Sequence, residues 1–304
     1  MTKQGDPVFG AVPVTGGTLR TATWGDGPHT VVTAHGITSS ARSWAWAADR
    51  LPPGWRVVAV DLRGRAGSVD LPGPYGLEAH AADLAAVIET IGSEPVTVAG
   101  HSMGAFVAVV LAAQHPARVG RLVLVDGGLP LAASSEPIAD VDAVLAATLG
   151  PALARLQRTF PSPEAYFDYW RVHPALQECW SAELEDYLRH DLAGSPPDLR
   201  CSVSQEAVKA DGADMLVNMD LLRSSLEAIE VDTTLLRAPR GLLNEDTPFQ
   251  PEDVAEHWCG VVPTLRHELV PDTNHYSLLL GERGAGVVAA RLASTGGGGD
   301  GGGG

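Results

Sequence analysis

The sequence predicts an α/β protein: a mostly parallel eight-stranded sheet flanked by helices, interrupted once by a helical insertion. Short apolar runs alternate with longer helical stretches, the order of a parallel sheet whose crossovers are helices. Several runs are rich in Val and Leu without period-two alternation, as strands buried on both faces require. The alternation stops at Gly128 and resumes after Glu230.

The strand candidates are His29–Thr33, Arg56–Val60, Val96–Ala99, Arg121–Val125, Thr233–Arg237 and Leu265–Leu269. Val12–Trp24, with Gly16-Gly17 at its middle, reads as a hairpin forming an antiparallel edge. Helices are predicted over Ala41–Leu51, Leu77–Ile91, Gly104–Gln114, Pro251–Trp258 and Gly284–Leu292. Within the interruption, Asp140–Leu149, Pro151–Phe160, Pro163–Val172, Ala182–Asp191, Cys201–Ala210 and Asp214–Ala228 read as helical segments punctuated by Pro, with no clear strand. The expected organisation is a core of residues 1–128 and 232–294, a helical cap of residues 129–231 over the end of the sheet, and a flexible Gly-rich tail, 295–304.

Composition narrows the function. The chain has 304 residues, 45% of them hydrophobic, and a net charge of −16. Between Leu129 and Val231 there are 17 acidic and 7 basic residues, a net −10, so most of the charge sits in the insertion. An acidic chain is poorly suited to nucleic acid, whose binding rests on Lys and Arg neutralising phosphates. The longest apolar run, Ala105–Ala113, is far shorter than the roughly 20 residues of a membrane helix. The first residues lack an apolar signal core. The three cysteines, Cys179, Cys201 and Cys259, form no C-x-x-C pair, which fits a reducing cytoplasm better than a disulfide framework. There is no G-x-G-x-x-G after a strand, no Walker lysine and no H-E-x-x-H, so neither cofactor nor metal is expected. The expected partner is a small molecule; no motif reads out the oligomeric state.

The chemistry concentrates in Gly100-His101-Ser102-Met103-Gly104, a G-x-S-x-G between an apolar strand and an apolar helix. A serine at so sharp a strand-to-helix turn adopts strained backbone angles, and small residues two before and two after let the chains close in. The turn lifts the Ser102 hydroxyl above the sheet. It also leaves the Met103 N–H at a helix N-terminus, where it can bind developing negative charge. An earlier strand ends in His35-Gly36-Ile37, a loop suited to bringing the Ile37 N–H to the same place, with His35 as a brace. The general base is expected after the last strand, which points to His275 in Asn274-His275-Tyr276. His101, inside the motif, is expected to face away from the serine.

His35-Gly36, Asp61-Leu-Arg-Gly64, Gly100-His-Ser-Met-Gly104 and Asn274-His275, in that order, resemble the α/β-hydrolase fold family over essentially all of Val12 to Leu292. The resemblance implies Ser102 as nucleophile, His275 as base, and the Ile37 and Met103 amides as the oxyanion hole. Its members include esterases, lipases, lactonases, C–C bond hydrolases, thioesterases and cofactor-free peroxidases. Serine at 102 separates this chain from the relatives that attack through Asp. The carboxylate that completes a triad is less evident. The family pattern G-x-x-D-x-x-x-P meets Gly241-Leu-Leu-Asn244-Glu245-Asp246-Thr247-Pro248, with Asn244 where Asp is wanted. Asp246 and Glu245 follow directly. The other candidate is Asp126, at the end of the strand Arg121–Val125, where some members such as haloalkane dehalogenases place their acid. The missing Asp at 244 favours Asp126.

The reaction this implies is attack of Ser102 on a small or medium neutral ester or lactone, since an acidic cap disfavours polyanions such as coenzyme A esters. The same triad serves C–C hydrolysis, perhydrolysis, thioester cleavage and acyl transfer, and the fold also serves as a ligand-binding scaffold. An Arg near Ser102 would favour C–C hydrolysis. Aromatics at Trp44, Trp46, Phe160, Tyr166, Phe167, Tyr169, Trp170, Trp180 and Tyr187 could line an apolar pocket or simply hold helices together.

Overall fold

The computed structural model describes residues 5–92, 95–130 and 140–294. The Gly-rich segment 295–304 lies outside them. The first half of the chain forms β1 (Val8–Val14), β2 (Gly17–Trp24), β3 (His29–Ala34), α1 (Ala45–Ala48), β4 (Trp55–Val60), α2 (Leu77–Ile91), β5 (Val96–His101), α3 (Met103–Gln114) and β6 (Val119–Val125). An insertion follows: α4 (Val141–Leu156), α5 (Pro163–Arg171), α6 (Ala182–His190), β7 (Leu192–Ala193), β8 (Arg200–Cys201), α7 (Gln205–Val217) and α8 (Met219–Glu227). The chain then returns through β9 (Asp232–Arg237), α9 (Glu252–Val261), β10 (Leu265–Leu269), α10 (Ser277–Leu280) and α11 (Glu282–Ala293). Among the described residues, no helix is long and apolar enough to cross a membrane.

Eight strands make one sheet in the order β1-β2-β4-β3-β5-β6-β9-β10. β1–β2 and β2–β4 are antiparallel, and every later pairing is parallel. The lack of alternation in the strands has a direct cause. Val98, Leu122 and Leu124 face one apolar layer with α2 and α3, while their neighbours Ala99, Val123 and Val125 face another with α11. Helix α3 is buried from Met103 to Ala112, which explains why it is apolar on every side.

Register positions the site. Ala34 pairs with Gly100, and His101 pairs with Val125. The carboxyl ends of β3, β5 and β6 therefore stop side by side, and the loops carrying Gly36, Ser102 and Asp126 leave the sheet at one edge. An open α/β sheet binds its ligands outside such an edge.

Several local expectations need correction. Ala41–Leu51 is a short 3-10 turn (Ala41–Trp44) followed by the four-residue α1. Helix α4 runs through Pro151, where a break is predicted, because burial of Leu145, Arg155 and Leu156 offsets the lost backbone bond. The segment Cys201–Ala210 begins as a strand: Leu192 pairs with Cys201 and Ala193 with Arg200. Its helix starts only after Ser204, whose hydroxyl caps the Ala207 N–H at 3.3 Å. Asp214–Ala228 is broken at Asn218 into α7 and α8.

The insertion packs in two ways. Leu156, Phe160, Phe167, Leu184 and Val208 form an apolar cluster of their own, joined by Trp46 and Leu280 from below. Leu222, Leu226 and Ile229, in and after α8, belong instead to the layer containing α2 and α3. A buried charge cluster ties the two regions together. Asp211 on α7 pairs with the guanidinium of Arg65 and with His80 Nε2 of α2 at 3.1 Å, and its Oδ1 accepts the Gly76 N–H at 2.6 Å. All three side chains are fully buried. Burial alone would raise the Asp211 carboxyl, but His80 and Arg65 prevail and lower it to about 2.

Removing one partner of a buried pair strands the other charge, so Asp211→Asn is expected to cost about 3–5 kcal/mol at pH 7 by urea unfolding. The native carboxyl titrates below its unfolded counterpart. Its stabilisation is therefore complete above the ordinary carboxylate range and is lost as pH falls towards 2. The gap between wild type and variant should narrow over that interval.

Candidate active site

Ser102 sits between β5 and α3 with φ 53° and ψ −122°, a conformation costing on the order of 1–3 kcal/mol for a residue with a side chain. Its own backbone holds it there: the N–H donates to the Val125 carbonyl at 3.0 Å, and its carbonyl accepts the Ala105 N–H at 2.9 Å. The glycines around it are sterically required. A Cβ on Gly100 would overlap the Gly104 carbonyl, one on Gly104 the Ala34 carbonyl, and one on Gly127 the Ser102 carbonyl. Between buried His101 and Met103, Ser102 alone keeps partial exposure.

Asp126 closes β6 with φ 44° and is fully buried. Its Oδ1 accepts the Ala238 N–H at 3.2 Å, and its Oδ2 lies 2.8 Å from His275 Nδ1. A carboxylate only accepts, so Nδ1 carries the proton and Nε2 is left as the free base nitrogen. His275 is 3% exposed, its N–H donates to the Arg240 carbonyl at 3.1 Å, and its ring packs on Phe249 at 4.7 Å.

The other carboxylates lie elsewhere. Asp246 is exposed, and the His275 Nδ1 that it would have to reach is engaged by Asp126. The Glu245 carboxylate accepts the Leu243 N–H at 2.7 Å and so closes its own loop. Asn244 has a different use. Its Oδ1 accepts from Asn274 Nδ2 at 2.9 Å, while Asn274 Oδ1 accepts the N–H groups of Tyr276 and Ser277. Asn244 thus anchors the loop that carries His275, and its φ of 66° suits Asn.

The loop after β3 comes against the serine from the other side. A Cβ on Gly36 would stand 3.3 Å from Ser102 Cβ. His35 braces this loop as expected from its position: Nδ1–H donates to the Gly36 carbonyl at 2.7 Å and Nε2 accepts the Leu62 N–H at 3.0 Å. Arg65 Nε donates to the Ile37 carbonyl at 3.0 Å, so the buried ion pair with Asp211 also holds the backbone at Ile37. Met103 opens α3, where first-turn N–H groups have no partner within the helix.

His101 contacts the candidate base. Its Nε2–H donates to the His275 carbonyl at 2.9 Å, and the two rings lie 4.8 Å apart. Sequence order alone carries no sign of this contact, since the residues are 174 positions apart. Burial lowers both His35 and His101 to about 3, so both are neutral at physiological pH and act as fixed hydrogen-bonding struts.

Ser102 and His275 open on a cavity of about 310 Å³, lined in part by residues of α4, α5 and α6. Tyr169, Trp170 and Tyr187 line it, whereas Tyr166 and Phe167 are buried in the helical cluster and Trp44 under the sheet. Arg155 also lines it, unforeseen in the sequence.

The buried neutral histidines make stability acid-sensitive. Their folded values lie below the unfolded value of 6.5, so their contribution is complete above pH 6.5 and is lost as pH falls towards 3. Between pH 6 and 4, the unfolding free energy of His101→Asn should fall less steeply than wild type, by up to about 1.4 kcal/mol per pH unit. Urea titrations at stepped pH measure the slope.

Comparisons with known proteins agree with the fold. The family model for the alpha/beta hydrolase fold matches residues 29–163. Lipase LipV of Mycobacterium tuberculosis is 40% identical over 134 residues, 43% of this chain and 50% of its own length. N-formylmaleamate deformylase of Pseudomonas putida is 39% identical over 104 residues, 34% of this chain and 39% of its own. The chain thus spans half or less of the length of these curated relatives. Similarity to solved structures runs further. The E-2-(acetamidomethylene)succinate hydrolase structure superimposes with TM-score 0.76 at 21% identity, covering 94% of this chain and 97% of that one. The thioesterase domain from the curacin biosynthetic pathway gives 0.73 at 20%, covering 95% and 99%. With the sheet order, the strained serine turn and these matches together, the chain has the α/β-hydrolase fold.

Proposed function

We propose that the protein is a serine hydrolase that cleaves a small or medium neutral carboxylic ester or lactone, with residues 129–231 acting as a cap over the site. The observation that carries this reading is the 2.8 Å contact of Asp126 with His275 beside a serine held in a strained turn. Ser102 attacks the carbonyl while His275 Nε2 takes its proton. Asp126 keeps the imidazole in the Nδ1–H tautomer and balances the imidazolium. The Ile37 and Met103 amides hold the oxyanion. His275 returns the proton to the leaving alcohol, then activates the water that releases the acid from the acyl-enzyme.

A second reading, C–C bond hydrolysis, is favoured by one observation: Arg155 lines the cavity with Ser102. The relatives' names likewise span lipase and deformylase, so the bond cleaved is the open variable.

A fluorophosphonate should label wild type once, seen by intact mass, and should not label Ser102→Ala. p-Nitrophenyl esters of graded chain length should be turned over by wild type alone. Asp126→Asn should lower kcat by about 10⁴, whereas Asp246→Asn should stay within a few-fold. Full activity in Asp126→Asn would remove it from the triad. Absence of any adduct would turn the reading towards a ligand-binding scaffold.

A further inference from the structure

Arg155 is nearly fully buried, yet it is one of the residues lining the cavity. Its guanidinium is held by one nitrogen. Nη1 donates to Tyr166 Oη at 2.7 Å and to Asp191 Oδ2 at 3.0 Å, and approaches Cys201 Sγ at 3.1 Å. The plane lies over the Trp170 ring at 4.9 Å. Nε and Nη2 donate to no atom among the described residues. They form the edge of a guanidinium that presents two parallel N–H groups.

Arg155 lines the same cavity as Ser102 and His275. Trp170 contacts His173, His173 contacts Tyr276, and Tyr276 contacts His275, with ring centroids 5.4, 5.3 and 5.7 Å apart. Tyr276 also lines the cavity, and its hydroxyl has no partner among the described residues. Burial raises that hydroxyl against the opposing pull of Arg155, so it remains protonated and able to donate. One stretch of wall therefore offers several donors with no protein acceptor to take them.

Charge decides what kind of acceptor fits. Asp191 already balances Arg155, and Glu245 adds a further carboxylate to the lining. His101 is neutral, so the formal charge of the lining is negative even with Arg155 counted. A substrate carboxylate would gain the Arg155 edge but meet Asp191 across the same guanidinium. A neutral carbonyl gains the same hydrogen bonds without that repulsion or the cost of desolvating an ion.

We propose that Arg155 and Tyr276 form a subsite for a second carbonyl oxygen of a neutral substrate, remote from the carbonyl that Ser102 attacks. Asp191 and Tyr166 are the positioning residues that aim the guanidinium. The proposal rests on the Ser102 hydrolase reading and specifies its substrate class: a neutral ester or lactone with an additional oxo, amide or ester carbonyl.

The test compares p-nitrophenyl esters of hexanoic, 5-oxohexanoic and glutaric acid, which place a methylene, a ketone and a carboxylate at one chain position. Homologues of each, one or two methylenes longer or shorter, are included, and every rate is corrected for uncatalysed hydrolysis. At the best-fitting length, kcat/KM for the oxo ester should exceed that of the hydrocarbon ester by about 10–100-fold, the value of one charge-assisted hydrogen bond. The carboxylate ester should be no better than the oxo ester. In Arg155→Lys and in Tyr276→Phe the oxo-to-hydrocarbon ratio should fall towards one. Because the ratio is internal to each variant, a general loss of folded enzyme cancels. A ratio of one in wild type at every length, or a ratio unchanged in both variants, overturns the subsite while Ser102 labelling leaves the hydrolase reading intact. Preference for the carboxylate overturns the neutral-substrate assignment. Failure of fluorophosphonate to label Ser102, with no ester cleaved, removes the underlying hydrolase reading and the subsite with it.

Discussion

The backbone around Ser102 is packed too closely to admit a side chain at three surrounding positions, and the rest of the site depends on that constraint. Gly100, Gly104 and Gly127 let β5, α3 and the loops after β3 and β6 meet at one point. The φ of 53° at Ser102 is affordable because the neighbouring strand and the first turn of α3 satisfy its backbone on both sides. The same crowding puts Gly36 against the serine's Cβ and leaves the start of α3 directed at the space above it. The strained serine turn and the close approach of the Gly36 loop are thus consequences of one crowded point.

Around this point the polar groups form a frame with little freedom. His275 is tied at Nδ1 by Asp126, at its N–H by Arg240 and at its carbonyl by His101. Its loop is tied again through Asn274 to Asn244. On the far side, His35 and Arg65 pin the loop of Gly36 and Ile37. Most of these struts are neutral or paired within the protein. The buried charge of Arg65 is compensated by Asp211, which belongs to the insertion. Helix α7 is therefore coupled electrostatically to the loop after β3.

The insertion also gives the cavity its character. Its aromatic residues divide between two roles, with Tyr166 and Phe167 serving the helical cluster and Tyr169, Trp170 and Tyr187 facing the space above Ser102. Arg155 joins the two, since one nitrogen belongs to the buried network of Tyr166 and Asp191 and the other edge is open. An apolar enclosure with a few donors of fixed direction selects by the placement of oxygen atoms more than by charge.

The sequence by itself determined the features that are local in the chain. Unalternating Val and Leu runs marked strands buried on both faces, and G-x-S-x-G between a strand and a helix located Ser102, because the strain and its glycine neighbours lie within five residues. The position of His275 after the last strand was legible for the same reason. Tertiary structure decided whatever depends on residues distant in sequence. Asp126 and His275 are 149 positions apart, and only the pairing of β6 with β9 brings that carboxylate, not exposed Asp246, beneath the imidazole. His101 beside His275, Arg65 with Asp211 and the open edge of Arg155 had no signal in the chain, because a side chain's partners across a sheet or beneath a helical layer are set by packing and not by spacing. The same holds for α4, which continues through Pro151 since burial of its later residues outweighs the local preference to stop.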